Sequence, residues 1–184
     1  MKRRLFYVIF TTIVLLVGCN DSVTYNDNEI ALIVRGEEIT IGDLRFLYPD
    51  DQMEENLDSV IKERLVKQEV QDMELDISEE VQATIEELDS YSLSELDQLT
   101  GNQMEDFISN QAKKLDMDKE EYLRSYLKKS VETAAYMQAY AFEILGEPTE
   151  DNIEEFNQKA NEHLDKLVEE HKDEIEILFH TTNK

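Results

Sequence analysis

The 184 residues carry 43 Asp and Glu against 18 Lys and Arg, a net charge of −25. That balance excludes sequence-independent nucleic-acid binding, which needs clustered cations to displace counterions from phosphate. It keeps a protein soluble and, among partners, favours basic or unfolded cationic chains.

The chain opens with Lys2, Arg3 and Arg4, and then Leu5 to Val17, in which only Thr11 and Thr12 bring polar side chains. This is the anatomy of an export signal. As a helix the apolar stretch would be about 20 Å long, short of the roughly 30 Å hydrocarbon core, so it predicts a leader rather than a permanent span. Gly18 and Cys19 follow, and Cys19 is the only cysteine, which leaves no intrachain disulfide. The tetrapeptide Leu16-Val17-Gly18-Cys19 resembles a bacterial lipobox, which implies acylation of the Cys19 thiol and cleavage between Gly18 and Cys19. An ordinary secretory signal with a leftover thiol is the alternative. Residues 1–18 hold three of the basic and none of the acidic residues, so the mature part has 15 against 43, net −28. Acyl chains rather than charge must then hold it at the lipid bilayer, on the outer face of the membrane, with the folded part standing off anionic headgroups.

Residues 19–28 read as a lipidated polar tether. Ile30 to Val34, a turn at Arg35-Gly36-Glu37 and a return over Glu38-Ile39-Thr40 predict a small β-hairpin. Five Gly, two Pro and abundant Leu, Glu, Lys and Gln predict helix for the rest. Thr40 and Asp43 have capping-box spacing for a short helix that must stop before Pro49. Asp50 or Asp51 is expected to cap the next helix, whose apolar positions run Met53, Leu57, Val60, Ile61, Leu65, Val66, Val70 and Met73, with Asp58–Lys62 and Glu63–Lys67 as i,i+4 pairs. Ser78 is expected to cap a helix to about Asp89. Residues 90–101 read as a short helix and loop, and Met104 to Leu115 as helix. Asp118 with Glu121 opens the longest helix, which ends at about Leu145 before Gly146 and Pro148. Thr149 is expected to cap a last amphipathic helix with Ile153, Phe156, Ala160, Leu164, Leu167, Val168 and Ile175 on one stripe, which either packs on the domain or awaits a partner.

Chemistry-bearing constellations are scarce. The histidines are His163, His171 and His180, and the first two lie two helical turns apart, too far to share a metal ion. A His171–Glu174 pair would hold one only weakly. No Gly-rich phosphate loop, nucleophile elbow or Glu-x-x-His pair occurs. No metal, cofactor or catalytic residue is therefore expected, and the protein is not read as an enzyme. Tyr122, Tyr126, Tyr136, Met137, Tyr140 and Phe142 recur on the long helix beside a second apolar line of Leu123, Leu127, Val131, Ala134 and Ala141. They read either as core or as a partly exposed groove; as the client-binding set, Tyr122, Tyr126, Tyr136, Met137 and Tyr140 would offer amphipathic rings and a flexible sulfur to unfolded segments.

Four stretches carry a resemblance: Ile33-Val34-Arg35-Gly36-Glu37-Glu38-Ile39-Thr40; Leu57-x3-Ile61-x3-Leu65-Val66-x-Gln68-x-Val70; Leu75-Asp76-Ile77-Ser78-Glu79-Glu80-Val81; and Asp116-Met117-Asp118-Lys119-Glu120-Glu121-Tyr122-Leu123. Together they resemble the N-terminal chaperone domain of SurA-type and PrsA-type foldases of the bacterial cell envelope, with Arg35 in place of the usual Asn and Asp116 in place of the usual Gly. The resemblance implies a mainly α fold in which a small N-terminal hairpin precedes a helical chaperone-type bundle over residues 29–147. Residues 148–184 form a C-terminal helix and tail. It also implies binding of unfolded secreted polypeptides. Relatives commonly carry a parvulin isomerase domain, for which the residues after Gly146 leave no room, so isomerase activity is not expected. The expectation is a membrane-tethered, non-catalytic holdase; the alternative is an interaction lipoprotein docking one dedicated envelope partner.

Overall fold

The computed structural model describes residues 25–179; the leader, Gly18, Cys19, the start of the tether and His180 lie outside the described residues. Strands β1 (Ile30–Val34) and β2 (Glu37–Thr40) pair antiparallel with Val34 opposite Glu37 and Leu32 opposite Ile39. The two-residue turn between them places Arg35 at φ 46° and Gly36 at φ 81°, the left-handed pair that follows the twist of a hairpin. Helix α1 (Ile41–Leu47) follows at once. Thr40 accepts from the Asp43 N–H at 3.1 Å, and Asp43 accepts from the Thr40 N–H at 3.0 Å, which is the predicted capping box.

Helix α2 (Leu57–Asp72) is entered through a 3-10 turn over Glu54–Asn56, without a side-chain cap. Asp50, expected as that cap, is drawn instead to Arg45 and Lys114, each at 3.1 Å. Of the expected i,i+4 pairs, Asp58–Lys62 forms at 2.8 Å, whereas Lys67 reaches across to Glu132 and Glu63 accepts from Thr133. Helix α3 (Ser78–Ser90) is held at its start by Asp76, which accepts from the Ser78 N–H; Ser78 is thus the first helical residue rather than the cap. Helices α4 (Leu93–Thr100) and α5 (Asn102–Lys114) turn sharply about Gly101 at φ 72°.

Helix α6 (Lys119–Leu145) runs about 40 Å. Asp118 accepts from the N–H groups of Glu120 and Glu121, and Gly146 ends the helix at φ 76°. Helix α7 (Ile153–Glu170) takes Asn152, not Thr149, as its N-cap residue; the Asn152 side chain is occupied in accepting from the Thr149 N–H.

The last segment corrects the sequence reading most. Ile175 does not continue the stripe of α7. After a 3-10 turn over Lys172–Glu174 it begins strand β3 (Ile175–Ile177), which pairs antiparallel with β1 and gives the sheet order β2-β1-β3. The alternation Ile175-Glu176-Ile177 has the period of a strand, and its β-branched residues fit a pleated surface. The C-terminal part therefore packs on the domain and closes its core.

Buried side chains gather into two clusters. The first joins Leu32, Val34 and Ile39 of the sheet, Leu44 of α1, the apolar face of α2, Tyr140 at the end of α6, Leu164 and Leu167 of α7, and Phe179. The second joins Leu96, Ile108, Ala112, Tyr122 and Leu123 around the start of α6. Helix α6 runs through both. They are also fastened at the C-terminus of α1, where three carbonyls left without helical partners are met from other helices. Gln111 donates to Arg45 O at 3.0 Å, Lys114 to Arg45 O and Tyr48 O at 2.6 and 2.8 Å, and the Tyr122 hydroxyl to Phe46 O at 2.8 Å.

Candidate functional site

Residues 122, 126, 136 and 140 fall within about 80° of arc on an ideal helix, so they share one face of α6. That face is the one its neighbours cover. Tyr122 is completely buried, stacked on Tyr126 at 6.0 Å between ring centroids and against Phe46 at 5.2 Å. Burial pushes its phenol up to about 12. It is a core residue, and the expectation that it meets clients is corrected. Tyr126 also lies edge-on to Phe107 and lines a shallow depression of about 250 Å³ with Tyr48 and Lys129. Tyr136 sits under the Lys67 ammonium, 5.3 Å from its ring. The expected set therefore does not form one surface.

Met137 and Tyr140 alone of that set reach a substantial cavity. It lies between the last turns of α6 and the first half of α7, has a volume of about 610 Å³, and is lined by Met137, Tyr140, Ala141, Phe142, Ile144 and Leu145 from α6. From beyond Gly146 come Pro148, Ile153, Phe156, Ala160, His163 and Leu164. Tyr140 is 6% exposed and forms the floor, while Ile144 and Ile153 are 38% and 45% exposed at the mouth. Phe142 meets Phe156 edge to face at 6.0 Å. Alanines at 141 and 160 leave open the space that larger side chains would fill. Ile144, Ile153, Phe156 and Ala160 were not among the expected client-binding residues. The signal was present in the stripe of α7, which reads equally well as packing surface.

The groove is apolar inside and acidic around. Over residues 143–165 the chain carries eight Asp and Glu and one Lys, and that cation, Lys159, is held by Glu155 at 2.7 Å. The lining itself includes no Asp, Glu, Lys or Arg. The chemistry on offer is burial of apolar side chains with an electrostatic preference for cations outside.

Elsewhere, His171 Nδ1 lies 2.8 Å from Glu174 and its Nε2 3.7 Å from Glu69, which also receives Arg35 at 2.8 Å. This cluster ties the hairpin turn and the end of α2 to the start of β3. Among the described residues no group of three His, Cys, Asp or Glu is placed to hold a metal ion, and no helix is long and apolar enough to cross a membrane. No family model, curated protein or solved structure matches the chain.

Proposed function

We propose that the protein is a lipid-anchored, non-catalytic holdase at the extracytoplasmic face of a bacterial membrane, binding unfolded cationic segments of secreted polypeptides in the α6–α7 groove. The observation that carries the reading is the groove itself, which presents exposed Ile144 and Ile153 and a flexible Met137 inside an acidic rim. An apolar opening of that size takes side chains without demanding one sequence, since thioether and aromatic surfaces adapt to varied shapes. The surrounding carboxylates select for basic clients and accelerate their encounter at low salt. The anchoring half of the proposal rests on the order of charge, apolar stretch, Gly18 and Cys19.

Two experiments test the two halves separately. Residues 20–184 at several-fold molar excess are expected to slow aggregation of a reduced, unfolded cationic protein, more strongly at low than at high ionic strength. Absence of any effect at low salt contradicts the holdase. Palmitate labelling in cells is expected to mark the parent chain and not Cys19→Ser; equal labelling of both contradicts the anchor. Affinity capture that returns one stoichiometric partner in place of many substoichiometric clients moves the reading to an interaction lipoprotein.

A further inference from the structure

We propose that the free edge of β3 is a second interaction surface, distinct from the α6–α7 groove, which accepts an extended cationic peptide segment as a fourth strand of the sheet. Arg35 N–H donates to Glu174 O at 2.9 Å and Leu178 N–H to Ala31 O at 2.8 Å, on either side of a register that sets Ile33 opposite Glu176. Bonded and non-bonded pairs alternate in an antiparallel ladder, so Glu174, Glu176 and Leu178 turn their amides toward β1. Ile175 and Ile177 turn theirs away. The Ile175 N–H is taken by Lys172 O in the preceding 3-10 turn. That leaves the Ile175 carbonyl and both backbone groups of Ile177 on the outer side of the sheet, where no strand pairs among the described residues.

The two edges of the sheet differ in how they meet solvent. On β2, Glu37 is held by Arg64 at 2.9 Å, Glu38 is exposed, and Thr40 is committed to the cap of α1, a charged and occupied edge that discourages pairing. On β3 the single charge is Glu176, on the face opposite Ile175 and Ile177. Ile177 is 45% and Leu178 41% exposed. Beside this edge lies a depression of about 480 Å³ lined by Ile61, Val168, Ile175, Ile177, Asp58 and Lys172, able to seat the alternate apolar side chains of an added strand. The occupant is fixed by charge as well as shape. Residues 143–179 carry thirteen Asp and Glu against three Lys, so a strand alternating apolar and cationic residues meets complementary potential.

The test uses the full chain carrying Cys19→Ser and a short peptide alternating valine and lysine. Titration followed by amide exchange is expected to slow exchange of the Ile177 N–H roughly tenfold or more at saturation. The same peptide N-methylated on alternate residues, equal in charge and side chains, is expected to bind roughly tenfold more weakly or worse. Ile177→Pro removes only an outward donor and keeps the bonds to β1 through Glu174 and Leu178, and proline is tolerated at such edge positions. That variant is expected to abolish binding at the β3 edge, while Ile153→Glu in the groove leaves the affinity read from Ile177 protection within twofold. Unchanged binding of the N-methylated peptide, or peptide protection confined to α6 and α7, overturns the proposal. So does a self-associated dimer that excludes the peptide.

Discussion

Tyr122 shows how one side chain can be read correctly by type and wrongly by role. Its spacing along α6 places it on an apolar stripe; its fate depends on Phe46, Phe107 and Gln111 arriving from elements up to 76 residues away. The buried hydroxyl donates to Phe46 O, a carbonyl that α1 itself cannot satisfy. Tyr122→Phe leaves that acceptor with only the longer bond from Gln111, at 3.4 Å, and is expected to cost about 1 kcal/mol in a urea titration at pH 7. The pH dependence follows from the sign of the shift. A phenol near 12 in the fold and near 10 when unfolded is neutral in both states below pH 10, so its full contribution is present there. Above pH 10 the unfolded chain ionises first, and the contribution is lost as pH rises through 12. Melting curves between pH 9 and 12 are therefore expected to fall more gently for Tyr122→Phe than for the parent, and parallel falls contradict the assignment. At two other positions the chain departs from ordinary backbone preference: Glu74 and Asp116 hold φ 57° and 53° where α2 and α5 end. In each case the next residue, Leu75 or Met117, bonds back to Val70 O or Ala112 O in a helix-terminating turn that usually takes glycine.

Among elements, the helices that could be placed from sequence were those whose end signals are local. Thr40 with Asp43, Asp118 with Glu120 and Glu121, and Gly146 all act within four residues of themselves, so pattern and structure agree. Two caps, Ser78 and Thr149, give way to near neighbours, Asp76 and Asn152, whereas the larger misreadings come from a partner distant in sequence. Asp50 is drawn away from α2 by Lys114, and Ile175 from α7 by β1, whose pairing spans about 140 residues. The groove was half legible for the same reason: Met137 and Tyr140 were expected, but its other wall is α7, whose docking no local pattern specifies. The junction at the end of α1 carries a prediction of its own. Lys114 is buried enough that desolvation pulls its ammonium below the usual lysine value, although Asp50 works against that. Its two carbonyl contacts link α5 to α1 across the boundary between the cores. Lys114→Met is expected to destabilise the chain by about 1–3 kcal/mol in urea, because Tyr48 O loses its donor and Arg45 O keeps only Gln111. A change within about 0.5 kcal/mol contradicts the view that this junction fastens the two clusters.

At the scale of the molecule, the body is strongly acidic and built on two linked cores; under the proposed function it would stand off an anionic membrane while drawing cationic chains toward it. Twelve of the fourteen Lys and Arg among the described residues are already engaged with carboxylates, so the outward field is dominated by the remaining acids. Under the lipoprotein reading, five residues lie between Cys19 and Tyr25, a reach of at most about 22 Å, so the domain would work close to the bilayer where exported chains emerge. The edge of β3 and the α6–α7 groove would then offer one client an extended and an apolar foothold at once, and linking two weak sites raises avidity without a new contact.

The central claim is that the groove between α6 and α7 is where unfolded chains are held. Amide exchange of residues 20–184 with a reduced, unfolded cationic protein tests it most directly, alongside Ile153→Glu, a change at a half-exposed position expected to shift stability by no more than about 0.5 kcal/mol. The account predicts slowed exchange over 137–145 and 153–164 that disappears in the variant. Client binding that leaves those two segments unprotected, or that persists undiminished in Ile153→Glu, contradicts it.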